Sequence, residues 1–344
     1  MTPAAVAPPA RPWYERADTE AVAARGLSAA ERRLVEAYRR DGFVVVEDAR
    51  ILDAIDVGGL WERLRPRFAT DGAGRVQDAW SFDPAVRAIA THPAVLATLR
   101  LLYGREPYPF QTLNFLNGTE QNTHSDTIHF SSLPHGFMCG VWLALEDVTL
   151  RQGPLHYYRG SHALPAFDYT DFAIAPVRGA PSWDNPDVSR AYGEYENAIA
   201  RIAAESGCAR EELAIPRGAY LIWSANLLHG GSPRADAALT RKSQVTHYYF
   251  DRTVAYTPMF SRRDQDRLHV RLPCDVRTGR VVKPSLDGVP VVFPRADDDL
   301  RRVRPLSGLT GAVVRALPAT SALPASGSHA VRQVLQAVRN RLRR

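Results

Sequence analysis

Cysteine is scarce in this chain. Cys139, Cys208 and Cys274 are scattered over 344 residues, too few and too far apart for a disulfide framework or a thiolate zinc site. They read as reduced, mostly buried thiols. No apolar run approaches the ~20 residues that cross a bilayer, and the opening Met1–Pro9 lacks the basic and apolar regions of a signal peptide. The expectation is therefore a cytoplasmic protein with no transmembrane segment. Acidic residues are missing from positions 301–344, which hold nine arginines. Because the whole chain carries +6, the residues before that stretch are net negative by three charges. Basicity belongs to a tail, and the body has no basic strip interleaved with aromatics and no nucleic-acid motif, so a nucleic-acid partner is not expected.

What is present is ample apolar content, 45% of the chain, enough for one large domain with appendages. Residues 1–25 are rich in Ala and Pro and are expected to form a disordered arm. Structure is expected to begin at Ser28-Ala29-Ala30-Glu31, a capping box, followed by a helix that ends at Gly42 and a strand Phe43–Val46. Further helices are expected near Leu60 to Phe68 and from Thr91, with Pro93 in the first turn, to Gly104. From Tyr108 to Phe250 the pattern turns to short β-rich segments separated by turn residues, the signature of a closed two-sheet barrel. Inside it, residues 165–216 form an insertion with a helix near Val188 to Ser206 and a high density of aromatics, expected to act as a lid. A hairpin is expected near Arg267 to Val282, turning at Thr278-Gly279, and the tail 301–344 contains Val331, Val334, Leu335, Val338 and Leu342 at helical spacing among arginines. Such an amphipathic basic helix suits an acidic partner or an anionic surface.

The chemistry sits in His124-Ser125-Asp126. In an extended strand, side chains two apart project from one face, so His124 and Asp126 can touch one ion. His229, 105 residues later in Leu228-His229-Gly230-Gly231, is the candidate third ligand of a 2-His-1-carboxylate facial triad, which holds iron and leaves the opposite positions open.

Around the triplet come Gly140–Val148, Gly153-Pro154-Leu155, Arg159-Gly160-Ser161-His162, Gly218–Trp223, Leu228-His229-Gly230 and Thr240-Arg241-Lys242-Ser243. In that order, over roughly residues 30 to 250, the chain resembles the phytanoyl-CoA dioxygenase family of iron(II)/2-oxoglutarate oxygenases. The resemblance implies a mainly β fold with flanking helices, the double-stranded β-helix or jelly roll, over residues 26–300. It implies Fe(II), 2-oxoglutarate and dioxygen as metal and cosubstrates, with His124, Asp126 and His229 as the iron ligands. Arg241 would grip the far carboxylate of 2-oxoglutarate through its planar, permanently charged fork, with Ser243 and Gln111 as further cosubstrate contacts. Where the family has His-Gly-Ser and an arginine eleven residues on, this chain reads His229-Gly230-Gly231-Ser232 with Arg241 twelve on. One residue inserted in the turn accounts for both shifts. In related halogenases a small residue replaces the carboxylate, so Asp126 argues against halogenation.

The expected substrate is a small molecule, polar or glycosylated, oxidised in specialised or glycan metabolism. His156, Trp183, Tyr169 and His247 are the candidate substrate contacts. Two other readings use the same residues. A zinc-dependent hydrolase would employ the triad with a metal-bound water but has no use for Arg241, and a non-catalytic jelly-roll binding module would not need a complete triad.

Overall fold

Ser28 opens the first long helix as its spacing predicts, in a computed structural model that describes residues 11–16, 22, 25–70, 74–179, 182–262, 267–291 and 303–305. Its hydroxyl accepts the Glu31 amide while Glu31 accepts the Ser28 amide, closing the capping box. Gly42 ends the helix in the left-handed region at φ 81°, which a glycine adopts without steric cost. The elements in chain order are α1 (Trp13–Arg16), α2 (Ala29–Asp41), β1 (Phe43–Val46), α3 (Val57–Thr70), β2 (Arg75–Gln77), α4 (Pro84–Ala90), α5 (Pro93–Tyr103), β3 (Pro107–Phe115), β4 (Ser131–Leu133), β5 (Met138–Ala144) and β6 (Leu155–Tyr158). They continue with α6 (Pro186–Glu205), β7 (Arg210–Glu212), β8 (Tyr220–Ser224), β9 (His229–Gly231), β10 (Ser243–Phe250) and β11 (Val254–Tyr256).

Two antiparallel sheets face each other. The larger runs β1-β8-β5-β10-β3-β2 and the smaller runs β7-β6-β9, with β4 and β11 paired separately. Strand alternation divides the larger sheet cleanly. Leu113, Trp142, Leu221, Trp223 and Val245 turn inward to a core shared with Tyr157 of the smaller sheet. Val141, Leu143, Tyr220, Ile222, Tyr248 and Phe250 turn outward against the helices, where Tyr38, Val86, Ile89, Leu99 and Leu102 cover them. The β10–β3 register shifts between His247 and Tyr248, where Phe110 is the extra residue on β3, so β3 changes face there while β10 keeps its alternation against β5. The architecture is the mainly β jelly roll with flanking helices.

Three expectations need correction. The N-terminal arm is not featureless, because Trp13 and Tyr14 are buried and the Tyr14 ring packs edge-on to Tyr38 and Tyr103 at 4.8 and 5.3 Å. Two adjacent aromatics bury enough apolar area to anchor that segment despite its Ala/Pro-rich surroundings. Thr91 does not start a helix; it caps the end of α4, and His92 precedes Pro93 at the start of α5. The span Pro84–Tyr103, long and apolar enough by composition to cross a membrane, is thus two helices whose Val86, Ile89, Val95, Leu99 and Leu102 are buried in the core. Of the expected hairpin, only the inner part forms, Cys274–Asp275 with Arg280–Val281 around Thr278-Gly279. Its outer strand Arg267–His269 pairs instead with Val303–Pro305, so backbone hydrogen bonds tie the first residues of the supposed tail to the domain. The amphipathic helix expected around Val331 to Leu342 lies outside the described residues.

The insertion carries its own small core. Phe167, Tyr169, Val188, Tyr195, Ile199 and Ile202 pack together and against Ile128 and Leu228, which adjoin the candidate ligands in sequence. Helix α6 begins with Asn185 accepting the Asp187 amide and Pro186 in the first turn, both strong start signals.

Candidate metal and cosubstrate site

His124, Asp126 and His229 come together with one ligand atom each, all within 4.8 Å of one another, and all three are buried. The route differs from the expectation. His124 and His229 exchange backbone hydrogen bonds of 2.9 and 3.0 Å in a single bridge at the end of β9, but Asp126 opens a short 3-10 turn, Asp126–Ile128, capped by the Ser125 hydroxyl. A strand's alternation therefore does not align the pair. The turn does, lifting the carboxylate so that Oδ1 lies 3.7 Å from His124 Nε2 and 3.9 Å from His229 Nε2.

Both imidazoles are set in the same tautomer. His124 Nδ1 donates to the Asn122 carbonyl at 2.8 Å and His229 Nδ1 to the Leu227 carbonyl at 2.9 Å, leaving each Nε2 lone pair turned to the shared space. Burial, then the neighbouring His229, lowers the His124 pKa to about 4, and burial also lowers that of His229. Asp126 goes the other way. Burial raises its pKa, but His229, His247 and His124 outweigh that and hold the carboxyl well below the usual range. Two neutral imidazoles and one ionised carboxylate are the protonation states a divalent metal requires, so the donor set fits the ion.

Arg241 lies just ahead of β10, is 1% exposed, and its Nη1 donates to the Gly153 carbonyl at 2.7 Å. Its Nε has no partner, and among the described residues no carboxylate pairs with it. Burial alone lowers its pKa to about 10, so the guanidinium remains charged at neutral pH. A buried cation with an unspent donor is costly unless an anion completes it. Nearby, Ser243 Oγ and Trp142 Nε1 are also buried without partners, and the Trp142 ring lies 5.8 Å from the guanidinium. The cradle matches a carboxylate such as that of 2-oxoglutarate.

The remaining candidates divide. His247 is brought to the site, with Nε2 3.6 Å from Asp126 Oδ2, and its Nδ1 is 3.0 Å from Gln111 Oε1. Gln111 thus braces His247. Trp183 is 54% exposed and its ring stands 5.9 Å from that of His129 and 5.3 Å from that of Tyr192. Tyr169 is buried in the insertion's core, 6.1 Å from Tyr195, because it packs on the apolar face of α6. His156 is also misplaced. Tyr157 is the register partner of His229 and faces inward, so His156 must face outward, where Thr123 Oγ1 and Ser232 Oγ lie 2.8 and 3.4 Å from its ring nitrogens. Ser232 shares that outer face and donates to Glu212 at 2.6 Å, which is the structural result of the extra glycine after His229.

Sequence reasoning missed three neighbours of the triad. Trp223 Nε1 donates to Asp126 Oδ2 at 2.8 Å, and Gln121 Nε2 lies 3.4 Å from His124 Nε2. His129 sits with its ring 6.4 Å from that of His124, and its Nε2 is 3.2 Å from the Tyr192 hydroxyl. The nearest signals were Trp223's place in an ordered motif and His129's position three residues after Asp126.

Comparison with known proteins places this geometry. The phytanoyl-CoA dioxygenase (PhyH) family model matches residues 38–243. Phytanoyl-CoA dioxygenase domain-containing protein 1 of Mus musculus is 33% identical over 84 residues, 23% of this chain and 29% of that protein. Its counterpart in Rattus norvegicus is 33% identical over 114 residues, 30% of this chain and 39% of the relative. The matches thus span well under half the length of these curated relatives. Among solved structures, the epimerase SnoN in complex with Fe3+, alpha ketoglutarate and nogalamycin RO is 25% identical with a TM-score of 0.50, covering 78% of this chain and 97% of that one. With the family model covering more than half of its length and the donor set in place, the chain belongs to the phytanoyl-CoA dioxygenase family of iron- and 2-oxoglutarate-dependent oxygenases.

Proposed function

We propose that this protein is a non-haem Fe(II)/2-oxoglutarate-dependent dioxygenase that oxidises a C–H bond of a small polar or glycosylated metabolite. The observation that carries the reading is that one jelly roll buries two different binding devices, the His124, Asp126 and His229 donor set and the Arg241 guanidinium, whose Nε has no partner. A zinc hydrolase uses the first and leaves the second unexplained, and a passive binding module requires neither. In this reading His124, Asp126 and His229 hold the iron, while Arg241 receives the distal carboxylate of 2-oxoglutarate beside Ser243. With both bound, the iron would supply the family chemistry, in which dioxygen is reduced by four electrons, two from decarboxylation of 2-oxoglutarate to succinate and carbon dioxide and two from oxidation of the substrate C–H bond.

Residues 165–216 act as the lid. Support comes from the contacts of α6 with the segment that bears the ligands: Asn122 donates to Glu196 at 3.1 Å, and Tyr192 meets His129. The exposed face of Trp183, with His129 and Tyr192 behind it, suits a ring-bearing polar substrate, because an aromatic wall stacks on a ring while the paired nitrogen and hydroxyl hydrogen-bond its substituents. The complex of SnoN with nogalamycin RO supports a small molecule over a macromolecule. Replacing His124, Asp126 or His229 by Ala tests the assignment. Each change is expected to abolish both iron binding and 2-oxoglutarate turnover, and wild-type iron occupancy in the Asp126 variant defeats it.

A further inference from the structure

Trp223 stands on β8 directly opposite Gly140 of β5. A Cβ on Gly140 would fall inside the indole ring, so only a residue without a side chain lets the indole lie flat across the neighbouring strand. Laid that way, its N–H reaches the Asp126 carboxylate. The bond goes to Oδ2, at 2.8 Å, in a fully buried setting. The other oxygen, Oδ1, is the one that faces His124 Nε2 and His229 Nε2 at 3.7 and 3.9 Å. His247 Nε2, 3.6 Å from Oδ2, flanks the same occupied oxygen from another strand.

We propose that Trp223 is a positioning residue that holds Asp126 as a one-oxygen metal ligand, and that Gly140 exists to give the indole its seat. The inference rests on reading His124, Asp126 and His229 as the metal site. A carboxylate free to rotate can close on a cation through both oxygens. Doing so here would take a position that a facial site leaves for its cosubstrates. Indole is a donor with no competing acceptor role, so its bond to Oδ2 occupies one of that oxygen's two lone pairs, restrains rotation of the carboxylate and fixes which oxygen is presented. Hydrogen bonds to ligating carboxylates from outside the coordination sphere tune affinity in just this way.

Two replacements of Trp223 separate the N–H from the ring. Trp223→Phe keeps an apolar ring, and substitution by β-(3-benzothienyl)alanine keeps the full indole shape with sulfur in place of N–H, so that folding is preserved. The full-length metal-free chain is titrated with Co(II) without air, reading affinity and the visible absorption spectrum. Both variants are expected to bind Co(II) about 10- to 100-fold more weakly, with an altered spectrum and unchanged circular dichroism. Gly140→Ala, which unseats the indole but leaves its N–H intact, is expected to move affinity in the same direction. Wild-type affinity and spectrum in the benzothienyl variant overturn the proposal, whatever the Phe variant does. Failure of the wild-type chain itself to bind Co(II) overturns instead the metal-site reading beneath it.

Discussion

Arg241 carries the sharpest prediction at the scale of single side chains. Arg241→Lys keeps the charge and loses the fork, so the apparent affinity for 2-oxoglutarate is expected to fall tenfold or more, from loss of about 1.5–3 kcal/mol for a charge-assisted hydrogen bond. Iron binding is expected to survive. Unchanged 2-oxoglutarate affinity places the anchor elsewhere. A second prediction follows from the buried imidazoles. Burial first, and neighbouring charges second, hold His124 and His156 at about 4 and His129 at about 3, against an ordinary value of 6.5. Unfolded, these groups regain the ordinary value, so between about pH 6.5 and 4 the unfolded chain binds protons that the folded one refuses. Stability is therefore full above that window and is lost as pH falls through it. Urea denaturation of the metal-free protein at about pH 7, 6 and 5 is expected to show a midpoint that drops at each step; a flat midpoint contradicts neutral, buried histidines. That His124, Asp126 and His229 come together was legible in the sequence, because motif order and residue chemistry both point to them. Trp223 was not, since its role depends on which strand lies beside it and on the absence of a side chain at Gly140.

At the scale of elements, the junction between α2 and β1 is a sensitive point. Gly42 has φ 81°, and a Cβ there would run into the His162 ring. Gly42→Ala is expected to cost about 1–2 kcal/mol for the left-handed backbone and about 1–3 kcal/mol more for overpacking. Chemical denaturation reads the sum, and a change below about 1 kcal/mol contradicts the predicted strain. Helix start and stop signals exposed α2 and the end of α5, and the β-rich stretch read from Tyr108 to Phe250 matches the span from the start of β3 to the end of β10. Those signals are local, which is why they were readable. What failed was face assignment over short distances. Asp126 reaches His124 through a 3-10 turn, and His156 points outward because Tyr157 pairs with His229. Both outcomes depend on register with a distant strand, which no local period encodes.

The molecule as a whole combines a jelly roll, an outer layer of helices and an insertion that packs beside the candidate site. The basic stretch beyond Pro305 is proposed to be an interaction element for an acidic partner or an anionic surface, dispensable for chemistry. The boundary matters, because Val303–Pro305 pairs with Arg267–His269. Truncation after Pro305 is expected to leave succinate formation nearly intact while weakening binding to anionic vesicles and removing its salt dependence; an inactive or insoluble product shows instead that the tail packs on the domain. The central claim is tested most directly by supplying the purified full-length chain with Fe(II), 2-oxoglutarate, air and ascorbate, which supplies the two electrons that a substrate C–H bond would otherwise provide. The account predicts that succinate and carbon dioxide form in equal amounts, that formation stops without oxygen, and that the Asp126→Ala chain forms neither. Succinate yield that is indifferent to oxygen, or equal in the Asp126→Ala chain, would contradict it.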